Sequence, residues 1–330
     1  MNLALLPQAP VWVLDDPRSA AAGQASAIAG RLGLPFRRLH ATPGQPHRPG
    51  GPGPGLVLSA GSGSGLRALL LRSRHGCRVV HCAARPPPLD RLSGWLPFDL
   101  TILPQGHMQG HMQGHMQARG QGDGVDAAGD PAWMAASSRI IPVLGAPNVV
   151  SPGLLARARD LWAERLAHLP RPRVVLLFGG SDQKAALDLG RHVASLARER
   201  GGCVLTSILP TGSHAGDALA AGLSGCLHLI YRAGEPGEDP TLGFLGHADA
   251  VIVARVGALT LSEACAAPAP IFAALIEGER RESRRLLDRM RQAGQLRPLQ
   301  DDLSPWPRQP LDEAGRIAGE IRLRFGSASG

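Results

Sequence analysis

The stretch "RVGALTLSEACAAPAPIF", Arg255 to Phe272, joins an apolar run to a helical pattern through Gly257 and Ala258. Small residues at such a junction let backbone N–H groups approach a phosphate. The positive end of the helix dipole favours the same anion. Glu263, a turn further on, is placed to accept hydrogen bonds from ribose hydroxyls. On spacing alone, the same residues read equally well as an ordinary strand–helix turn carrying an early acid.

Two further strand ends offer related chemistry. "FGGSD" supplies Gly179, Gly180 and Ser181 ahead of a helix. "TSILPTGSH" supplies the hydroxyls of Thr206, Ser207, Thr211 and Ser213, as diphosphate donors or as helix caps. Near the N-terminus, Asp16 in "LDDPRSAAAGQA" is either a base or an N-cap, and capping is the simpler role.

Histidines pose a separate question. "GHMQ" occurs three times in tandem from Gly106 and puts His107, His111 and His115 four residues apart. That spacing suits a soft metal on one helix face. Gly106, Gly110 and Gly114 oppose a helix by about 1 kcal/mol each. The segment is expected to be an inserted loop, 106–124, without metal, and only His107 lies near enough to a strand end to serve as a base. "HGCRVVHC" brings His75, Cys77, His81 and Cys82 together in sequence, but on a strand Cys82 faces away from Cys77 and His81.

These residues sit in two series of apolar runs alternating with helical stretches. "VWVLD", "LVLSA", "CRVVHCA", "FDLTIL" and "RIIPVL" form the first series. "VVLLFGG", "CVLTSIL", "CLHLIY", "ADAVIVA" and "APIFAAL" form the second. Continuous apolar runs alternating with helices predict parallel sheets covered on both faces. Ser151 followed by Pro152 reads as the start of an amphipathic helix. "PRPR" after Leu169 reads as a linker. The expected fold is α/β, with two Rossmann-like domains and a ligand cleft between them. The expected divisions are 1–170, 171–310 and a C-terminal helix, 311–330, packing back on the first domain.

Composition narrows the function. The chain has 330 residues, a net charge of +8 and one lysine, Lys184, against 34 arginines. Its basic residues are scattered and only 4% of residues are aromatic, so nucleic-acid readout is not expected. The exception is Glu277 to Gln292, whose charges alternate as on a solvated helix face. Five cysteines without a CxxC argue against a disulfide framework or a zinc ribbon. No apolar run is long enough to span a membrane, and the start does not read as a signal peptide. A cytoplasmic location is expected, with peripheral membrane contact left open.

In order along the chain, "LDDPRSAAAGQA", "FDLTILPQGH", "VLGAPNVVSP", "LLFGGSD", "GFLGHADAVIVARVGALTLSEACA" and "RPLQDDLSPWPRQPLDEAGRIAGEIRLRF" resemble the ELM-type (elongated mitochondria) mitochondrial-fission family. The resemblance implies a glycosyltransferase-B-like fold. Separately, "RVGALTLSEACAAPAPIF" is similar to the donor-site segment of the N-acetylglucosaminyltransferase that completes lipid II. That similarity implies donor contacts at Ala258, Leu259 and Thr260 and a ribose contact at Glu263. Where the family carries Asp-Gly and another Gly three residues on, this chain keeps Asp16 but has Pro17 and Ala20; it also departs at Val256 and Gly257, and at Ile208 and Leu209.

Two functions follow as expectations. One is a metal-independent, cofactor-free glycosyltransferase-like protein binding a nucleotide-diphosphate sugar, uridine diphosphate being the first candidate. Its nucleotide would meet Gly179, Gly180, Ser181, Thr206, Ser207, Gly257, Ala258, Leu259, Thr260 and Glu263, and Asp16 or His107 would act as base. The other is a non-catalytic scaffold, with the basic stretch Arg280 to Arg291 as a contact surface for protein or membrane.

Overall fold

The structure, a computed structural model, describes residues 10–16, 19, 21–40, 53–83, 98–105, 138–210, 213–276 and 278–326. The chain divides into two compact units, Met1–Val149 with Asp312–Gly330, and Val150–Leu311.

The first unit runs β1 (Val11–Asp15), α1 (Gln24–Leu32), β2 (Phe36–His40), β3 (Leu56–Ala60), α2 (Ser62–His75), β4 (Arg78–Cys82), β5 (Leu100–Pro104) and β6 (Ile140–Val143). Its strands are all parallel, in the order β2-β1-β3-β4-β5-β6. Strand alternation sends Val11, Val13, Leu56, Leu58, Val80 and Ile102 to one face, against Ile28 and Leu32 of α1. Trp12, Leu14, Val57 and Val79 take the opposite face, with Ala68 of α2.

The second unit runs α3 (Pro152–Leu166), β7 (Arg173–Phe178), α4 (Gln183–Glu199), β8 (Cys203–Ile208), α5 (Ser213–Leu223), β9 (His228–Arg232), α6 (Thr241–His247), β10 (Ala250–Ala254), α7 (Ala258–Cys265), β11 (Ile271–Ala273), α8 (Arg281–Gln292) and β12 (Arg297–Pro298). Its sheet is parallel, in the order β12-β11-β10-β7-β8-β9. Every residue of β7, β8 and β10 is buried, as strands covered on both faces require.

The division falls at Val149/Val150, ahead of α3 rather than at the linker near Pro170. Packing explains the difference. Trp162 of α3 meets Phe244 of α6 edge to face, with ring centroids 6.1 Å apart. The Arg173 guanidinium donates to the Leu166 and Leu169 carbonyls at 2.7 and 3.1 Å, tying the end of α3 to β7. Ser151 caps α3, its Oγ accepting from Leu154 N at 3.0 Å. The last helix, α9 (Glu313–Gly326), belongs to the first unit. It buries Ala314, Ile317, Ala318 and Ile321 in the core shared with α1, and Arg322 donates to the Arg31 carbonyl at 3.0 Å.

Of the "HGCRVVHC" residues, Arg78–Cys82 form β4, while His75 ends α2 at the surface and Cys77 is buried just before the strand. Cys77 and Cys82 enter opposite cores. His81 shares a hydrogen bond with Ser59 Oγ at 2.9 Å and stacks on Phe98 at 4.4 Å. Burial lowers its pKa to about 4, so the ring is neutral at pH 7. Among the described residues no three His, Cys, Asp or Glu side chains are grouped to hold a metal ion. Nor is any helix there long and apolar enough to cross a membrane.

Candidate functional site

Strand order fixes where each sheet opens. In the first unit the chain runs outward from β1 to β2 on one side and from β3 to β6 on the other, so the order reverses between β1 and β3. In the second unit it reverses between β7 and β10. Parallel α/β sheets bind ligands beyond the carboxyl ends of the strands at such a reversal, because the two adjacent crossovers diverge to opposite faces and leave a crevice.

In the second unit, that point pairs Phe178 with Ala254. Gly179 follows one strand and Arg255 the other. Gly179 N donates to the Ala254 carbonyl at 2.9 Å. A Cβ on Gly179 would lie 2.5 Å from the Arg255 carbonyl oxygen, so only glycine allows the two loops to close this tightly. Arg255 itself has a φ of 57°, the left-handed region that a side chain enters at a cost of about 1–2 kcal/mol. Strained backbone of this kind concentrates at ligand sites.

Beyond Arg255, Gly257 is extended and leads into α7. No side chain caps α7, and its first turn holds no acid. Helix geometry leaves the first N–H groups without intrahelical acceptors. Gly257, Ala258 and Leu259 are exposed, Leu259 by 40%. Leu261 N donates to the Gly257 carbonyl at 3.0 Å and Ser262 Oγ to the Ala258 carbonyl at 2.7 Å, which hold the turn closed from within. Gly180 is buried against the Phe178 ring, and Ser181 is exposed. Asp182, next in line, caps α4 by accepting from Ala185 N at 2.9 Å.

Glu263 lies further along α7 and is half-buried. Among the described residues no hydrogen bond or ion pair reaches its carboxylate. Burial raises its pKa to about 7, and the Asp239 carboxylate adds to the rise. Asp239 in turn accepts from Thr241 N at 2.9 Å.

Thr206 and Ser207 do not open onto this crevice. Thr206 sits two residues before the end of β8 and shares its face with Val204 and Ile208, which are core residues; it is fully buried. Ser207 is buried on the other face, and its hydroxyl is engaged with Thr241 Oγ1 at 2.8 Å. The Thr206 hydroxyl has no partner among the described residues. Thr206→Val is therefore expected to stabilise the protein by about 1 kcal/mol, since it removes an unpaired buried hydroxyl at nearly constant volume. A higher urea midpoint is the expected reading, and a lower one would show that the hydroxyl is bonded in solution. Thr211 and His107 lie outside the described residues.

Asp16 is at the first unit's strand reversal. Its N–H donates to the Ala60 carbonyl at 3.2 Å, where β1 and β3 end together. A Cβ on Gly63 would lie 3.3 Å from Asp16 Oδ2. Asp16 does not cap α1: the cap position is Gly23, without a side-chain hydrogen bond. Arg255 and Asp239 were not singled out in the sequence. Arg255 had a local signal, since it directly follows a buried strand. Asp239 had none, because its relation to Glu263 arises only in the fold.

Two parallel six-stranded sheets, each in its own α/β unit with one reversal of strand order, define a glycosyltransferase-B-like architecture. The chain belongs to the mitochondrial fission ELM1 family, whose sequence profile matches residues 7–325. No functionally curated protein matches the sequence. Among solved structures, the chain is similar to a putative UDP-N-acetylglucosamine 2-epimerase from Listeria monocytogenes. The two share 14% identity at a TM-score of 0.50, covering 97% of this chain and 97% of that one. It is also similar to UDP-GlcNAc 2-epimerase from Neisseria meningitidis bound to UDP-GlcNAc, with 12% identity, a TM-score of 0.45, and 96% and 100% covered. For MurG from Acinetobacter baumannii the values are 12%, 0.44, and 96% and 92%.

Proposed function

We propose that this glycosyltransferase-like protein binds a nucleotide-diphosphate sugar, uridine diphosphate being the first candidate, at the carboxyl ends of β7 and β10. The observation that carries the proposal is Glu263, a half-buried carboxylate without a partner among the described residues, one turn inside a helix whose N-terminus is uncapped and exposed. A carboxylate held this way is costly unless something donates to it. Ribose hydroxyls are such donors, and the amides of Ala258 to Thr260 lie at the helix end where a linked diphosphate is favoured. The Arg255 side chain adds positive charge at the same strand end. The name of the Listeria structure supports uridine diphosphate as the first nucleotide to test.

In this scheme the leaving diphosphate is stabilised by helix-end amides and arginine, without a metal. Asp16, at the first unit's strand reversal, is the candidate base for an acceptor hydroxyl.

The test is calorimetric titration of the protein and of Leu259→Asp with uridine diphosphate. Leu259 is exposed, so the fold tolerates the change, and the new carboxylate repels the diphosphate at the mouth of α7. Saturable binding by the wild type, weakened about tenfold or more in the variant, is the expected result. Equal binding by both would move the nucleotide elsewhere. No binding of any nucleotide would favour a non-catalytic scaffold.

A further inference from the structure

Two buried side chains fasten α6 to α3 and β7. His247, the last residue of α6, and Arg173, the first of β7, are each 7% exposed. α6 lies close against α3, since a Cβ on Gly246 would be 2.9 Å from the Leu155 carbonyl oxygen. That approach brings the His247 ring onto the α3 backbone, with Nε2 2.8 Å from the Arg159 carbonyl oxygen. On the other side of the ring, Nδ1 lies 3.1 Å from Arg173 Nη1.

These partners leave the ring one state. A carbonyl oxygen only accepts, so Nε2 carries the hydrogen and donates. A guanidinium only donates, so Nδ1 is bare and accepts. His247 is therefore held neutral, with its hydrogen on Nε2. Arg173 depends on that state. Its Nη2 donates to the Leu166 and Leu169 carbonyls at the end of α3, and its Nε has no partner among the described residues. Among the same residues no carboxylate pairs with this buried guanidinium, and the imidazole is its one side-chain acceptor. Asp249, just ahead of β10, accepts instead from the Arg173 backbone N–H at 2.7 Å and from the Arg171 guanidinium. The other charges near the ring are cationic: Arg159 from α3, Arg171 from the residues leading into β7, and Arg173 itself. Burial lowers the His247 pKa from 6.5; the bond to the Arg159 carbonyl opposes the shift, and the three arginines reinforce it.

We propose that His247 and Arg173 form an acid-sensitive clamp on α3. A proton taken up from water at Nδ1 displaces the Arg173 donor and sets two cations together in a buried space, which frees α6 and the end of α3 from β7. In the unfolded chain the imidazole takes its proton near pH 6.5, and in the fold only at lower pH. The stability that the clamp contributes is therefore complete above pH 6.5 and is lost as pH falls below it.

Hydrogen exchange of the wild type at pH 7.5 and pH 5, corrected for intrinsic exchange, reads the clamp directly. At pH 5, α3 is expected to lose about tenfold more protection than α4 of the same unit. Equal change in the two helices overturns the proposal, whether or not any variant folds. His247→Gln supplies a side chain that is neutral at every pH. In that variant the extra loss from α3 should vanish, and the fall in melting temperature between pH 7.5 and pH 5 should be smaller than in the wild type by about 2 °C or more. The buried His81 adds acid sensitivity in the first unit of both proteins, so the difference between them isolates His247. A variant that still loses α3 protection in acid overturns the assignment to this ring.

Discussion

Glu263→Gln is expected to make the protein more stable and a poorer nucleotide binder at the same time. In the folded chain the Glu263 pKa is raised from 4.5 to about 7, first by burial and then by Asp239. A raised carboxylate pKa means that the fold prefers the neutral acid. Below pH 4.5 the acid is neutral both folded and unfolded, and the substitution changes little. As pH climbs from 4.5 to 7, ionisation is easier in the unfolded chain and stability is lost, by about 1.4 kcal/mol per pH unit. Above pH 7 the loss is complete, at up to about 3 kcal/mol. Glutamine removes that loss, so its melting temperature should exceed that of the wild type by several degrees at pH 8 and match it at pH 4.

Nucleotide affinity should move the other way. Ribose hydroxyls bind the ionised form, and only the ionised fraction is competent. With a pKa of about 7, that fraction rises about tenfold between pH 6 and pH 8, and wild-type affinity should rise with it. Glu263→Gln should bind about tenfold more weakly at pH 8 and lose the pH dependence. A variant with unchanged stability and affinity at pH 8 would mean that Glu263 is a solvated helix residue with no ligand.

The second large effect lies in the packing beneath the site. α4 and α5 cross at Gly190 and Gly222. A Cβ on Gly190 would lie 2.6 Å from the Leu219 carbonyl oxygen and 3.0 Å from Gly222 Cα. Both neighbours are backbone and cannot rotate aside. Gly190→Val must therefore push the helices apart and open the core around Leu189, Val193 and Leu219. The expected loss is about 3 kcal/mol, the upper part of the range for overpacked cores, read as a lower urea midpoint. Gly30 in α1 is the contrast, because a Cβ there meets nothing within 4 Å and its φ is not positive. Gly30→Ala should gain up to about 1 kcal/mol from helix propensity alone. If both changes proved neutral, close helix approach would not be what selects glycine at position 190.

Local sequence determined the elements of this protein. The runs "VVLLFGG" and "ADAVIVA" are short and continuously apolar, and such runs fit strands buried on both faces because a pleated backbone presents alternate residues to opposite helix layers. Ser151 and Pro152 specified a helix start because a hydroxyl cap and a fixed φ act within three residues. The small residues at Gly179 and Gly257 marked the ends of strands that lead into helices.

Tertiary structure decided the rest. Phe178 and Ala254 are separated by 76 residues, and only the strand order makes them neighbours at the point of reversal. Thr206 and Ser207 lie close to a strand end in sequence, yet packing turns one hydroxyl into the core and engages the other with Thr241. Asp16 has a capping residue's chemistry, but α1 begins at Gln24, out of its reach. Glu263 was a candidate from its spacing alone, but its raised pKa came from the fold, since desolvation depends on everything packed around a carboxyl group and not on its neighbours in the chain.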